Sequence, residues 1–223
     1  LRVYFPEFGV VNESTKMDKV RILNKFFING FMTIVSPIGN MLESVNVHPH
    51  VVTIAGLIFS VVSGLLFWKG YFVLAGISLI VSGACDVLDG RLARSTHRMT
   101  PFGAIFDSTV DRYSEVAVFM GIMAFFDNII ISGLIILAVT GSLLTSYTRA
   151  RAEGLGIECK MGLMQRPERI TFLATAAILG APFDSVFETR YFLIKLALVG
   201  IAVLANMTTI QRVLHVRKNL KSQ

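Results

Sequence analysis

Charged side chains are scarce in this sequence: 16% of its 223 residues are Asp, Glu, Lys or Arg, against 53% hydrophobic. An ordinary soluble domain carries about 25% charged residues, so a soluble globular domain and a disordered chain are both excluded. Cysteine is short as well. Cys85 and Cys159 stand far apart in unlike surroundings, which excludes a secreted disulfide scaffold and a CxxC zinc framework. No repeat marks a solenoid, and no signal peptide with a small-residue cleavage site is legible. The sequence opens on Leu1 rather than methionine, so a longer native start is expected. A net charge of +6 raises nucleic acid as a partner, but the placement of the basic residues assigns them to membrane topology instead, and no nucleic-acid partner is expected.

What the chain has in quantity is long uncharged stretches. A spanning helix needs roughly 20 mainly apolar residues. Val51–Trp68, Gly70–Cys85, about Gly103 through Phe126, Asn128–Thr148, Ile170–Phe183 and Tyr191 to about Gln211 predict six. Phe26–Leu42 is also uncharged, yet its apolar residues Phe27, Phe31, Ile34, Ile38, Met41 and Val45 step by three and four along one helical face. Asn29, Thr33, Ser36, Asn40 and Glu43 trace the opposite face, and Pro37 should kink or break the helix. Such a polar stripe suits a helix in the headgroup plane better than a seventh span, and Lys16, Lys19, Arg21 and Lys25 before it suit an anionic leaflet. The expected fold is therefore all-α and polytopic: residues 1–48 as an N-terminal segment with an interfacial amphipathic helix, and 49–223 as a six-helix transmembrane domain.

Six spans place one set of connections on a single side. That side receives the N-terminal cluster, Arg91, Arg94, Arg98, Arg149, Arg151, Lys160, Arg166, Arg169, Arg212, Arg217, Lys218 and Lys221, while the other receives little more than Lys69 and Arg190. The positive-inside rule makes the first side cytoplasmic, with both termini on it, in a multi-pass protein of the cell membrane. A seventh span would spoil the alternation.

Against this apolar background stand Asp86, Asp89, Asp107 and Asp111. An Asp near a helix centre costs about 3 kcal/mol on insertion scales, so four together are kept only where they line a polar cavity and meet a cation. Asp86 and Asp89 are three apart, Asp107 and Asp111 four apart, and each spacing puts its pair on one helix face. The short turn between spans two and three predicts antiparallel neighbours whose acidic faces meet near the cytoplasmic end. Carboxylates without clustered His or Cys form a hard oxygen site that favours Mg²⁺ or Mn²⁺. Two such ions would neutralise the cluster and grip a pyrophosphate. The bland alternative is a salt-bridge network with Arg91, Arg94 and Arg112.

The run Asp86-x-x-Asp89-Gly90-x-x-Ala93-Arg94, eight residues, then Gly103-x-x-x-Asp107-x-x-x-Asp111 resembles the signature of the CDP-alcohol phosphotransferase family at all eight fixed positions. The layout from about Asn24 onward is similar to that family too. The resemblance implies Asp86, Asp89, Asp107 and Asp111 as metal ligands, with Asp111 also the general base. Gly90 would let the nucleotide approach the backbone, and Arg94 and Thr100 would contact the CDP moiety. The start of span one, His50-Val51-Val52-Thr53, would line the nucleotide pocket, although many relatives read Pro-Asn where this chain has Pro49-His50. Relatives form homodimers, so a homodimer is expected.

The stretch between spans four and five carries Arg149, Arg151, Arg166 and Arg169, and Pro167 fits the first turn of span five. Four guanidinium groups beside an acidic site suit a phosphorylated acceptor better than serine, choline or ethanolamine; for any one of them, topology alone is an equal account. The pattern resembles the phosphatidylinositol-phosphate synthase branch, which implies transfer of a phosphatidyl group from CDP-diacylglycerol or a related CDP-lipid to inositol phosphate with release of CMP. The alternative acceptor is glycerol 3-phosphate, as in phosphatidylglycerophosphate synthases. A cation-coupled transporter would need a second acidic half in spans four to six, which is not there, and the intact acid quartet argues against a catalytically silent partner subunit. Glu115, one turn beyond Asp111, is expected to support the site or to pair with Arg112.

Overall fold

The computed structural model describes residues 25–220. Among them lie seven α-helices and no strand: α1 (Lys25–Ser44), α2 (Pro49–Trp68), α3 (Phe72–Ser95), α4 (Pro101–Phe126), α5 (Ile129–Glu153), α6 (Arg166–Phe187) and α7 (Phe192–Leu220). Lys16, Lys19, Arg21 and Lys221 fall outside the described residues, as do the side chains of Lys25, Phe27 and Asn29. Five helices, α2, α3, α5, α6 and α7, are long and apolar enough to cross a membrane. α4 falls outside that group because Asp107, Asp111, Arg112 and Glu115 stand close together in it.

Helices α2 to α7 close a ring in the spatial order α2, α3, α6, α7, α5, α4, with α4 returning to α2. The expectation that α3 and α4 pack as antiparallel neighbours does not hold. They do not pack along their lengths; α2 packs against both. Small residues on α2 explain why it fits between them. Serines stitch it to α3: Ser63 donates to the Ala75 carbonyl at 2.8 Å, Ser82 to the Gly56 carbonyl at 2.9 Å, and the Ser60 and Ser82 hydroxyls lie 2.7 Å apart. On the α4 side a Cβ on Gly121 would run into the backbone carbonyl of Gly64, so only glycine permits that approach.

The ring is filled by an apolar core from Phe67, Leu79, Val118, Phe119, Ile122, Ile135, Leu173, Leu198 and Ile201 with alanines of α3, α5, α6 and α7. α5 and α7 add polar stitches, Thr145 to the Ala205 carbonyl at 3.0 Å and Asn206 to the Leu137 carbonyl at 3.0 Å.

α1 packs on α3 from outside the ring, and its polar stripe has a protein partner rather than bulk water. Arg91 of α3 donates to the Ser36 hydroxyl at 3.1 Å and to Asn40, and lies 3.3 Å from Glu43 Oε1, while Ser95 donates to Glu43 Oε1 at 3.0 Å. Val35 is buried with Val52, Leu88 and Leu92, whereas Ile34, Ile38, Met41 and Val45 form an exposed apolar face. Pro37 does not break α1, because its flanking residues Val35, Ser36 and Asn40 are held by α2 and α3 on both sides of it.

Candidate active site

The acidic residues meet at the end of the ring where α3 finishes and α4 begins. α3 continues helically beyond Cys85 to Ser95, which carries Asp86 and Asp89 on one turn. After the turn at His97 (φ 54°), the Thr100 hydroxyl caps α4 by accepting from the Gly103 N–H at 2.9 Å, with Pro101 in the first turn. Asp107 and Asp111 follow within three turns. Although α3 and α4 are splayed, one carboxylate oxygen each from Asp86, Asp89 and Asp107 lie within 4.8 Å of one another. The splay is what leaves room between the side chains for something other than a direct helix contact.

This donor set fits a divalent cation. Three carboxylate oxygens at that spacing form a hard site, and Asp107 Oδ1 is buried with no hydrogen-bond partner. An orphaned buried acceptor is costly and calls for a cation or donor. Asp89 is oriented by the Thr53 hydroxyl, which donates to its Oδ2 at 2.6 Å with both residues buried.

Asp111 is held differently. Arg166, the first residue of α6, places Nη1 2.7 Å from Asp111 Oδ1 and 2.5 Å from Asp86 Oδ1. Arg112 Nη1 is 3.9 Å from Asp111 Oδ2 and donates to the Ser108 carbonyl. Of the three arginines expected in a bracing network, only Arg112 approaches one of the four aspartates; Arg91 is committed to α1, Glu43 included, and Arg94 is exposed beside Gly90. A cavity of about 10 Å³ is lined by Thr53, Gly56, Asp86, Asp89, Asp111 and Arg166. A second, of about 30 Å³, lies beside it between Ser60, Ser114, Glu115, Arg166 and Arg169.

The expected nucleotide residues divide. A Cβ on Gly90 would meet the Arg94 guanidinium at 3.4 Å, so Gly90 and Arg94 face one space. The His50 ring packs against Phe106 at 5.1 Å and against Gly103 of the signature. Thr100 is exposed at the start of α4 and Val51 points outward, but Val52 lies in the apolar cluster with Leu88 and Leu92, and Thr53 serves Asp89.

The four basic residues between α5 and α6 also divide. Arg166 and Arg169 reach the site, Arg151 is exposed, and Arg149 donates to Glu153 at 2.8 Å. Arg169 is 3% exposed and forks onto Glu115 at 2.6 and 3.1 Å, while also donating to the Met164 carbonyl. Glu115 therefore pairs with Arg169 and not with Arg112. Arg212, counted by sequence only as a topological charge, is buried and donates to the Met161 carbonyl at 2.8 Å and to the Thr145 carbonyl, tying the 154–165 connection to α5 and α7. Its signal is the spacing Thr208, Arg212 on one face of an apolar helix, since the Thr208 hydroxyl accepts from the Met164 N–H. In that connection burial pushes the Cys159 thiol up, and no thiolate nucleophile is offered there.

Residues 46–207 match the family described as CDP-alcohol phosphatidyltransferase. The archaetidylinositol phosphate synthase of Methanothermobacter thermautotrophicus is 32% identical over 200 residues, covering 89% of this chain and 98% of that protein. The phosphatidylinositol phosphate synthase of Mycobacterium tuberculosis, solved with CDP-DAG bound, superposes with a TM-score of 0.71 at 31% identity over 82% of this chain and 94% of that one. The same enzyme in complex with manganese and citrate gives the same TM-score and identity over 88% of its chain.

Proposed function

The chain belongs to the CDP-alcohol phosphatidyltransferase family, and from that premise we propose that it moves the phosphatidyl group of CDP-diacylglycerol, or the equivalent group of a related CDP-lipid, to a hydroxyl of inositol phosphate. The observation that carries this reading is the convergence of Asp86, Asp89 and Asp107 across two splayed helices, with Asp111 beside them. Relatives named for inositol phosphate products support the acceptor, and so does the Arg166 side chain in the cavity wall.

Asp86, Asp89, Asp107 and Asp111 would hold two divalent cations, Mg²⁺ or Mn²⁺. When bound, these supply charge neutralisation at the pyrophosphate, the main demand of phosphoryl-group transfer. The chain's own residues do the rest. Thr53 fixes the Asp89 carboxylate. Gly90 keeps the α3 backbone clear for the nucleotide, with Arg94, Thr100 and the His50-Val51-Val52-Thr53 start of α2 around it. Asp111 accepts the proton of the attacking hydroxyl. The acceptor oxygen bonds the phosphorus next to the lipid, and the bond from that phosphorus to the CMP oxygen breaks. Arg149, Arg151, Arg166 and Arg169 are the candidate holders of the acceptor phosphate; Arg166 is the best placed, and Arg169 is the most committed elsewhere.

In the membrane we read α4 as the sixth span, its charged stretch lying inside the ring at the end where the acidic residues meet, and α1 as interfacial, its exposed Ile34, Ile38, Met41 and Val45 facing lipid. Residues 1–48 then form an N-terminal segment and 49–223 the catalytic domain of a cell-membrane enzyme with its site and both termini cytoplasmic, assembled as a homodimer.

The test is CMP release by the purified full chain with Mg²⁺ and either CDP-diacylglycerol or its diether analogue, across inositol phosphate, glycerol 3-phosphate, serine and inositol. Release confined to inositol phosphate is expected. Preference for glycerol 3-phosphate moves the acceptor assignment, and preference for an uncharged alcohol refutes it.

A further inference from the structure

We propose that Arg166 is a tethered counter-ion that exchanges partners: it holds Asp86 and Asp111 until a divalent cation occupies those carboxylates, then turns to the acceptor's phosphate. Cation loading, acceptor capture and release of the base thereby become one coupled step. This rests on the reading of Asp111 as base and of a phosphorylated acceptor.

One nitrogen carries both contacts, Nη1 at 2.5 Å from Asp86 and 2.7 Å from Asp111. Asp86 also belongs to the three-carboxylate group with Asp89 and Asp107. A guanidinium and a divalent cation therefore compete for Asp86, and like charges at such range in a half-buried cavity repel strongly. The cavity at the carboxylates, about 10 Å³ with Arg166 forming part of its wall, holds about one water, so a second cation at Asp111 requires the guanidinium to leave. Arg166 has somewhere to go. It also lines the neighbouring 30 Å³ cavity, and its long side chain springs from the junction of the 154–165 connection with α6, so it can turn without moving the helix. Arg169, one turn along, is the contrast: its donors are taken by Glu115 and Met164, and it is fixed.

Two consequences follow from the exchange. Arg166 in place lowers cation affinity at Asp111, and it ties up one of the two oxygens of the carboxylate read as the base. Once Arg166 is displaced, the Asp111 oxygen that the cation does not take is left to accept a proton, and the guanidinium is available to a phosphate within the same cavity system. By linkage, cation and acceptor must then strengthen each other's binding.

The experiment is Mn²⁺ titration by electron paramagnetic resonance on the full chain in detergent, without nucleotide, for the parent, Arg166→Gln and Arg166→Lys. Arg166→Gln should bind its weaker Mn²⁺ about tenfold or more tightly than the parent, while Arg166→Lys, which keeps the charge, should stay near the parent. In the parent, Mn²⁺ should tighten inositol phosphate binding measured by calorimetry, and this coupling should vanish in Arg166→Gln. Thermal melting of both variants establishes that they fold; if the glutamine variant does not, the parent alone decides, since Mn²⁺ that leaves its inositol phosphate binding unchanged overturns the exchange. Unchanged Mn²⁺ affinity in Arg166→Gln, or coupling that survives the substitution, overturns the exchange. Failure of the parent to release CMP with any acceptor would instead overturn the functional reading, while the Mn²⁺ titration would still decide what Arg166 does at the carboxylates.

Discussion

Replacing Thr53 with valine tests whether this residue serves the nucleotide or the acids. The Thr53 hydroxyl has one proton. It lies 2.6 Å from Asp89 Oδ2 and 3.2 Å from the Pro49 carbonyl, so the shorter, charge-assisted bond to the carboxylate takes it. Both residues are buried, which removes water as a substitute partner. A hydrogen bond to a charged group is worth about 1.5–3 kcal/mol, and loss of an outer partner of a metal ligand costs about 10–100-fold in metal affinity. Thr53→Val keeps nearly the same volume, so its effect falls on the orientation of Asp89 rather than on packing. The concentration of Mg²⁺ giving half-maximal CMP release should rise about 10–100-fold, the KM for the CDP-lipid at saturating Mg²⁺ should change little, and Thr53→Ser should recover most of the loss. If Thr53→Val leaves the Mg²⁺ dependence alone and raises the KM for the CDP-lipid instead, the hydroxyl serves the nucleotide and the positioning argument is wrong.

Two further perturbations address the base and the buried ion pair. Asp111→Asn removes the carboxylate we propose as proton acceptor and should lower kcat by about 10²–10⁴ while leaving CDP-lipid binding within a few-fold, as measured by radiolabelled nucleotide retention; turnover near the parent would exclude Asp111 as base. Glu115→Gln leaves the Arg169 guanidinium, 3% exposed, without its counter-ion. Such a break costs about 3–5 kcal/mol and should appear as a lower melting temperature in detergent, partly recovered by pairing it with Arg169→Met. A single variant as stable as the parent would mean the pair is dispensable.

The helices were legible because uncharged runs of this length have few other uses, but their ends were not. Gly70–Cys85 was expected to stop at the first aspartate, whereas α3 runs on to Ser95 because Asp86 to Arg94 contains no proline and its single glycine does not end a helix held on both sides. The acid spacing was equally plain, since three- and four-residue steps fix a shared face whatever surrounds them. Which guanidinium would meet those acids was not. Nearness in sequence pointed to Arg91, Arg94 and Arg112; the structure uses Arg166, brought in when α6 packs on α3. The same limit hid the role of α2. A short connection between α3 and α4 predicts contact only if nothing smaller fits between them, and the serines and glycines of α2 make it the better neighbour to both.

That intrusion of α2 accounts for the site. Had α3 and α4 packed directly, Asp86, Asp89 and Asp107 would have been forced against one another with no volume between them, and burial of three like charges in contact would have opposed folding. With α2 buried against both, the two acidic faces stay apart at one end of the ring, where Thr53 of α2 reaches Asp89 and the first residue of α6 reaches Asp86 and Asp111. The apolar core closes the rest of the ring with Phe67, Phe119, Ile122 and Leu198. Polar chemistry is thus confined to the end where α2, α4 and α6 begin and α3, α5 and α7 finish. Arg94 lies in the last turn of α3, Arg149 and Arg151 near the end of α5, and Arg98 in the connection that follows α3. Guanidinium groups that stand beside the carboxylates would draw an anionic nucleotide and an anionic acceptor toward them.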